Sequence, residues 1–203
     1  MNPRTGPTSS SAVAYFAKAP RPGQVKTRLC PPLTPAEAAG IYAGFLRDLL
    51  VPVAGARTLV YGWPADGLEE LRPLMPSGLE LRSQHGDDLF ARMAACFDEL
   101  FQEGHAPVLI RNTDSPDLPM ERITVALERC QKGKVVLGPD LGGGYYLIAL
   151  PEPTPQLFHG VQGGDYGDFQ SLRQRAEQLG LEVIELPAER DVDTFQDLLQ
   201  MWR

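Results

Sequence analysis

The chain has 203 residues, a formal net charge of −7 and 43% hydrophobic residues. This length fits one domain, and a chain of this size buries about 70% of its unfolded surface without needing disulfides or a structural metal. The acidic balance argues against nucleic acid as a partner, because proteins that bind it usually carry a basic face. No apolar run approaches the roughly 18 residues of a membrane span, and the N-terminus has no signal-peptide core. We expect a cytoplasmic protein with a flexible tail at residues 1–11 and one domain at residues 12–203.

Segments with strand and helix patterns alternate along the chain. The first strand is predicted at residues 12–17, and a helix is predicted after Thr34, because Pro35 and Glu37 complete a helix-start pattern. Further strands are predicted at residues 57–62, 79–83, 107–110, 134–137, 145–150 and 181–186. Further helices are predicted at residues 88–103, 120–131, 169–179 and 194–202. This alternation predicts a three-layer α/β/α sandwich with a mostly parallel central sheet. Because ligands bind at the carboxyl ends of the strands in such folds, the loops there are the candidate site.

The loop after the first strand is rich in bases and prolines and contains no acid. Lysine and arginine bind phosphate oxygens, a hydroxyl adds a donor, and glycine lets the backbone approach a ligand closely. The residues predicted to bind phosphate here are Lys18, Arg21, Gly23, Lys26, Thr27 and Arg28. The spacing is not that of a P-loop or of a dinucleotide fingerprint. A solvated surface loop is the alternative interpretation.

An aspartate follows the predicted strand at residues 107–110. Mg²⁺ and Mn²⁺ bind carboxylate and phosphate oxygens, usually through one or two protein carboxylates plus the substrate. Asp114 is therefore a candidate metal ligand, with a turn or cap aspartate as the alternative. Asp193 lies just before the last predicted helix. Either Asp193 or Thr194 caps that helix, or Asp193 is a second metal ligand.

Three more loops carry candidate ligand contacts. The run at residues 138–146 contains successive glycines, of which Gly143 and Gly144 would let a sugar or phosphate lie against the backbone. A flexible loop or a hairpin turn between two strands is the alternative interpretation. Tyr145 and Tyr146 alternate across a strand, so at most one of them faces the site. Asp87 is either a helix N-cap or a ligand contact. Residues 160–167 form a glycine-rich loop that we place over the site, and the histidines and cysteines show no metal or triad spacing.

Several of these segments together resemble the radical-SAM/selenodomain-associated transferases, a family regarded as glycosyltransferases of the GT-A, nucleotide-diphospho-sugar transferase fold. The resemblance rests on residues 16–23 with 26–29, 113–118 and 143–148, and it extends in order over nearly the whole chain. It implies a GT-A fold with Asp114 at the diphosphate–metal position. The family pattern places an aspartate where this chain has Gly142, and Asp140 or Asp165 would then compensate as the catalytic acid or base.

Three functions follow from these loops. In glycosyl transfer, Mg²⁺ or Mn²⁺ on Asp114 would neutralise the leaving nucleoside diphosphate, and Asp140 or Asp165 would act as base toward an acceptor hydroxyl. In nucleotidyl transfer, the same loop would bind a nucleoside triphosphate, and a phosphorylated acceptor would attack it. The third function is nucleotide-sugar binding without turnover, indicated by the missing carboxylate at Gly142. The predicted ligand is therefore a nucleotide sugar or a nucleotide, with the acceptor left open.

Overall fold

Seven strands form one sheet in the computed structural model, which describes residues 10–161 and 168–201. The strands are β1 (Ser11–Lys18), β2 (Ala56–Trp63), β3 (Glu80–Ser83), β4 (Val108–Arg111), β5 (Val135–Pro139), β6 (Tyr145–Leu150) and β7 (Val183–Glu185). Their order across the sheet is β3-β2-β1-β4-β6-β5-β7. All neighbours are parallel except β6, which runs antiparallel to β4 and β5. The predicted mostly parallel sheet is confirmed, and the antiparallel pair of β5 and β6 agrees with the hairpin turn that is the alternative interpretation of the glycine-rich run between them.

Helices cover both faces of this sheet. They are α1 (Pro35–Leu49), α2 (Leu68–Leu71), α3 (Leu89–Gln102), α4 (Met120–Cys130), α5 (Asp168–Gln178) and α6 (Phe195–Met201). Alternate residues of β1 point to opposite faces, so Val13 and Tyr15 pack with α1 and α4, whereas Ala12 and Ala14 pack with α3 and α5. The two buried clusters make the predicted three-layer sandwich. Within the described residues, no helix has the length and apolar character needed to cross a membrane.

Helix starts follow the capping chemistry of the sequence. The Thr34 side chain accepts the Glu37 N–H at 3.3 Å, and the Glu37 carboxylate accepts the Thr34 N–H at 2.8 Å, which confirms the predicted start of α1. At α3 the cap is Asp88, whose carboxylate accepts the Ala91 N–H at 2.8 Å. Asp87 is therefore not the N-cap, because the helix begins one residue later than predicted.

Two other sequence expectations need correction. The helical spacing of Leu89, Met93 and Phe97 predicts that Leu89 lies on the buried face of α3, but Leu89 is 37% exposed. Leu89 is the first residue of α3, and it lines an open cleft instead of packing in the core. Ser11 was assigned to the N-terminal tail, yet it is buried and is the first residue of β1.

Candidate functional site

The carboxyl ends of β1, β2, β3 and β4 open onto a cleft of about 380 Å³. This is the edge at which the sequence places the ligand. The predicted site residues that line the cleft are Lys18, Lys26, Thr27, Arg28, Asp114, Asp140, Gly144 and Asp193. The structure therefore brings the basic loop, the aspartate after β4 and the C-terminal aspartate into one cavity.

Arg21 is turned away from this cleft. Its guanidinium lies 3.1 Å from the Asp66 carboxylate and 2.7 Å from the Glu70 carboxylate. These acids belong to the segment after β2, about 45 residues further along the chain, so sequence spacing gave no sign of them. Arg21 thus fixes the outer side of the loop and does not line the cavity.

The remaining predicted contacts also lie off the cleft lining. Gly23 and Gly143 adopt left-handed φ angles of 76° and 95°, so each shapes its loop through the backbone. Asp87 precedes the α3 cap and does not line the cleft. Asp165 lies outside the described residues, as does most of the predicted loop at residues 160–167.

Lys26 is the centre of the cleft floor. Its side chain is only 3% exposed, and its Nζ lies 2.5 Å from Asp114 Oδ1 and 3.3 Å from Asp193 Oδ1. Arg28 Nη1 approaches the other oxygen of Asp193 at 3.0 Å. Lys26 itself has φ 47°, an uncommon conformation for a residue with a side chain and one that is enriched at functional sites. The local backbone is held so that this ammonium group points between two carboxylates.

The charges of this cluster stabilise each other. Burial alone would lower the pKa of Lys26, but the Asp114 and Asp193 carboxylates outweigh burial and raise that pKa. Burial would likewise raise the pKa of Asp114, but the Lys26 ammonium outweighs it and lowers the pKa. Both groups are therefore ionised near neutral pH. The Asp114 side chain is still 45% exposed, which leaves it open to a ligand.

The Tyr42 hydroxyl contacts both the end of β1 and the loop after β4. Its hydroxyl accepts the Lys18 backbone N–H at 3.0 Å and lies 2.7 Å from Thr113 Oγ1. Thr113 in turn donates to the Phe16 carbonyl at 2.9 Å, so the Tyr42 hydroxyl donates to Thr113. The helical spacing of Tyr42, Phe45 and Leu46 predicts an apolar face of α1, and Tyr42 is buried there. That spacing gives no sign of a hydroxyl contact at the site.

Carboxylates form the opposite wall of the cleft. Asp140 Oδ1 accepts the N–H groups of Gly142 at 2.8 Å and Gly144 at 2.7 Å. Burial raises the pKa of Asp140 despite these donors. Burial, with Asp193 and Asp140 nearby, raises the pKa of Asp191 to about 6.

Asp191 was given no role of its own from the sequence. Val192, between Asp191 and Asp193, is fully buried, so the two aspartates face the same side of the chain. The Val192 N–H also donates to the Asp114 carbonyl at 2.9 Å, which holds this segment beside the β4 loop. In the sequence, the alternation of Asp191, Val192 and Asp193 could have predicted that the two aspartates lie on the same side.

The far end of the cleft is aromatic and apolar. The Arg92 guanidinium lies 4.3 Å from the centre of a Trp63 ring, and both residues line the cavity. Asn112 donates to the Tyr145 carbonyl at 3.1 Å, whereas its buried Oδ1 has no hydrogen-bond partner among the described residues. Tyr145 lines the cleft and Tyr146 is buried, which confirms that at most one of the two faces the site. A flat polarised surface of this kind suits a base or a sugar ring.

A second cavity of about 400 Å³ adjoins the cleft. The two cavities share Arg28, Asp140, Gly144, Asp191 and Asp193. The second cavity is completed by Leu141, Gly142, Arg190, Thr194, Asp197 and Gln200. The Thr194 side chain accepts the Asp197 N–H at 3.3 Å and the Asp197 carboxylate accepts the Thr194 N–H at 2.7 Å, so Thr194 rather than Asp193 caps α6.

Residues 10–161 and 168–201 do not form a metal site from protein side chains alone. In the part of the chain that the structure describes, no three His, Cys, Asp or Glu side chains are grouped so that they could hold a metal ion. The predicted site needs only one or two carboxylates, with the other ligands supplied by a bound phosphate. Asp114 and Asp193 therefore remain predicted metal ligands.

Comparison with known proteins relates this chain to one protein family and to proteins named as transferases. Residues 50–165 match the model of the DUF2064 family, described as an uncharacterized protein conserved in bacteria. The 2-phospho-L-lactate guanylyltransferase of Methanothermobacter thermautotrophicus is 29% identical over 183 residues, which cover 85% of this chain and 76% of that protein.

Two solved structures share the fold. One, from Desulfovibrio desulfuricans G20, is provisionally assigned as a nucleotide-diphospho-sugar transferase; it is 33% identical, has a TM-score of 0.90, and the match covers 96% of this chain and 87% of that one. A cytidylyltransferase of Leptospira borgpetersenii is 11% identical with a TM-score of 0.60, covering 95% and 85% of the two chains. These likenesses confirm the predicted nucleotide-diphospho-sugar transferase type of fold. None of the proteins named here carries a radical-SAM description.

Proposed function

This chain belongs to the DUF2064 family, and we propose that it is a glycosyltransferase that moves a sugar from a nucleoside diphosphate sugar to an acceptor hydroxyl. The fold and the relatives support a nucleotide-dependent transferase. The choice of glycosyl transfer rests on the carboxylates that line the cleft beside its cations, because a carboxylate can take the proton of an acceptor hydroxyl.

The buried ammonium of Lys26 carries this proposal. A diphosphate leaving group gains negative charge as its bond to the sugar breaks, and fixed cations lower the energy of that state. Lys26 and Arg28 already hold carboxylate oxygens at 2.5–3.3 Å, a distance at which they would equally hold phosphate oxygens. Lys18, at the mouth of the same loop, adds a third positive charge.

The carboxylates of Asp114 and Asp193 fit a divalent cation. Their side chains are 45% and 35% exposed, so each has oxygens that a ligand can reach. Mg²⁺ and Mn²⁺ prefer such oxygens and share them with substrate phosphates. When bound, the cation would supply further neutralisation of the diphosphate.

Asp140 is the proposed proton acceptor. The acceptor oxygen forms a bond to the anomeric carbon as the bond from that carbon to the diphosphate oxygen breaks. The nucleoside diphosphate leaves with the bonding electrons, and the hydroxyl proton passes to the Asp140 carboxylate. Two backbone N–H groups fix one oxygen of Asp140, and this side chain lies on the wall shared by both cavities.

Nucleotidyl transfer is the second candidate, because the related Methanothermobacter protein is named a guanylyltransferase. The same cations would hold a nucleoside triphosphate. A phosphorylated acceptor would attack the α-phosphate, and pyrophosphate would leave. Different released products therefore separate the two reactions.

The test measures which product is released. Wild-type protein is incubated with a panel of nucleoside diphosphate sugars or of nucleoside triphosphates, with Mg²⁺ or Mn²⁺, and nucleoside diphosphate and pyrophosphate are assayed separately. We expect nucleoside diphosphate, and a loss of about 100-fold or more in Asp114→Asn because charge neutralisation of the leaving group is impaired. Asp117→Asn is the matched control, since Asp117 is exposed and lies off the cleft.

Each result has one interpretation. Pyrophosphate release from a triphosphate with a phosphorylated acceptor would replace glycosyl transfer by the second candidate. Full activity in Asp114→Asn would refute the proposed role of that carboxylate. Tight nucleotide binding without release of either product would indicate a nucleotide-binding protein that does not catalyse transfer.

A further inference from the structure

The second cavity adjoins the cleft that is proposed to bind the donor, which is the position expected for an acceptor site. It shares five lining residues with the cleft, so molecules bound in the two cavities would contact the same side chains. These residues are Arg28, Asp140, Gly144, Asp191 and Asp193. Its volume of about 400 Å³ falls within the range of small-molecule sites. A sugar transferred from a donor in the cleft would therefore have only a short distance to move to an acceptor in the second cavity.

The charge of this cavity is negative. Its lining contains two guanidinium groups, Arg28 and Arg190, against four carboxylates, which gives a net charge of −2. The carboxylates belong to Asp140, Asp191, Asp193 and Asp197. Like charges within a few ångströms repel strongly where solvent is partly excluded. The carboxylates of the cavity would therefore repel the phosphate group of a phosphorylated acceptor.

The lining of the cavity suits hydroxyl groups. Gly142 exposes the backbone without a side chain, and the carboxylates of Asp140 and Asp191 line the cavity beside it. The Thr194 hydroxyl is held by Asp197, and the Gln200 amide oxygen accepts from Arg190, so both belong to the frame of the cavity. Leu141 is 65% exposed and gives the cavity one apolar face. Carboxylates that accept hydrogen bonds from hydroxyl groups, beside one apolar surface, match a compound with several hydroxyl groups.

We infer that the second cavity binds the acceptor and selects an uncharged polyhydroxyl compound over its phosphate ester. This inference rests on the proposed function, since an acceptor site has a purpose only if a group is transferred. It goes further by naming the class of acceptor and the side chains that select it.

The experiment uses the full chain saturated with UDP or GDP and Mn²⁺. Glycerol, glucose and myo-inositol are each titrated against the corresponding monophosphate ester by calorimetry. For at least one pair we expect the uncharged member to bind at least about tenfold more tightly, as repulsion from a net negative wall predicts. Tighter binding of the phosphate ester, or binding of neither member in every pair, overturns the inference.

Two variants locate the effect. Leu141→Trp should fill the second cavity and weaken the polyol by about tenfold or more while leaving nucleotide affinity unchanged. Met120→Trp is the control, because Met120 is also exposed but lines neither cavity. Arg190→Gln should leave the polyol affinity within about twofold, since a neutral ligand needs no guanidinium there.

The outcomes also separate this inference from the proposed function. An unchanged polyol affinity in Leu141→Trp, or its loss in Arg190→Gln, would show that the acceptor binds elsewhere or is an anion. Failure of the wild type to bind any nucleotide would instead remove the proposed function, and this inference with it.

Discussion

Replacing Lys26 by methionine removes a cation that contacts both Asp114 and Asp193. Methionine keeps an unbranched side chain of similar length in a position that is 3% exposed, so packing is largely preserved. Asp114 then loses the ammonium group at 2.5 Å, and Asp193 loses the same group at 3.3 Å. The variant therefore tests the charge of Lys26 and not its volume.

The expected loss of stability is intermediate in size. Breaking a fully buried ion pair costs about 3–5 kcal/mol, and an exposed pair is worth about 0–1 kcal/mol. Because the carboxylates are 45% and 35% exposed, we expect Lys26→Met to lower the free energy of unfolding by about 1–3 kcal/mol at pH 7. Affinity for a nucleoside diphosphate should fall roughly 10- to 150-fold, as for loss of one charge-assisted hydrogen bond.

The loss should depend on pH in a defined direction. The lowered pKa of Asp114 means that its stabilisation is present above the unfolded value near 3.9 and is lost as pH falls through the folded value. The raised pKa of Lys26 means that its stabilisation is present below about 10.5 and is lost as pH rises through the folded value. The gap between wild type and variant should therefore be full from about pH 5 to 10 and should shrink below about pH 4.

Urea unfolding at pH 7 and pH 3.5, with calorimetric titration of GDP and UDP at pH 7, measures both effects. Lys132→Met serves as the control, since Lys132 is exposed and lies at the opposite end of the sheet, just before β5. The reasoning is refuted if Lys26→Met and Lys132→Met have the same stability and nucleotide affinity. A gap that widens toward pH 3.5 would contradict the assigned charge states.

Three further predictions concern the elements around the site. Tyr42→Phe removes the hydroxyl that accepts the Lys18 N–H, so the free energy of unfolding should fall by about 1–3 kcal/mol in urea titrations, and no change would mean that the contact is not formed. Thr34→Ala removes the capping box with Glu37 and should cost about 1 kcal/mol by the same measurement, whereas an unaltered midpoint would speak against the cap. Burial raises the pKa of Cys130 to about 12, so this thiol should stay unmodified by a thiol reagent at pH 8 until the protein is unfolded, and rapid labelling of the native protein at Cys130 would contradict that burial.

The fold was predictable because local patterns agree with the global arrangement. Alternating strands and helices predicted the layers, and Thr34 with Glu37 predicted the start of α1. The reversal of β6 also has a sequence signal, because the seven residues between the predicted strands at 134–137 and 145–150 are too few for a parallel crossover and favour a hairpin.

The site was predictable where one loop carries an unusual concentration of one chemistry. The basic loop and Asp114 are of this kind, and the structure places Lys26 directly between them and Asp193. Trp63 and Arg92 escaped prediction, since each is an isolated residue that gains meaning only when tertiary folding stacks one on the other. Arg21 shows the opposite error, because acids distant in sequence take it out of the cleft.

The position of the carboxylate wall explains the departure from the family pattern at Gly142. A β-carbon added at Gly142 would lie 3.3 Å from Asp140 Oδ1 and 3.7 Å from Asp191 Oδ2. A β-carbon at Gly144 would lie only 2.6 Å from Asp140 Oδ2, so Asp140 occupies the space that these glycines leave open. The Asp140 carboxylate can therefore occupy this position because Gly142 and Gly144 have no side chains. A carboxylate attached two residues earlier in the chain reaches the region that an aspartate at position 142 would approach, and for this reason the glycine alone does not argue against catalysis.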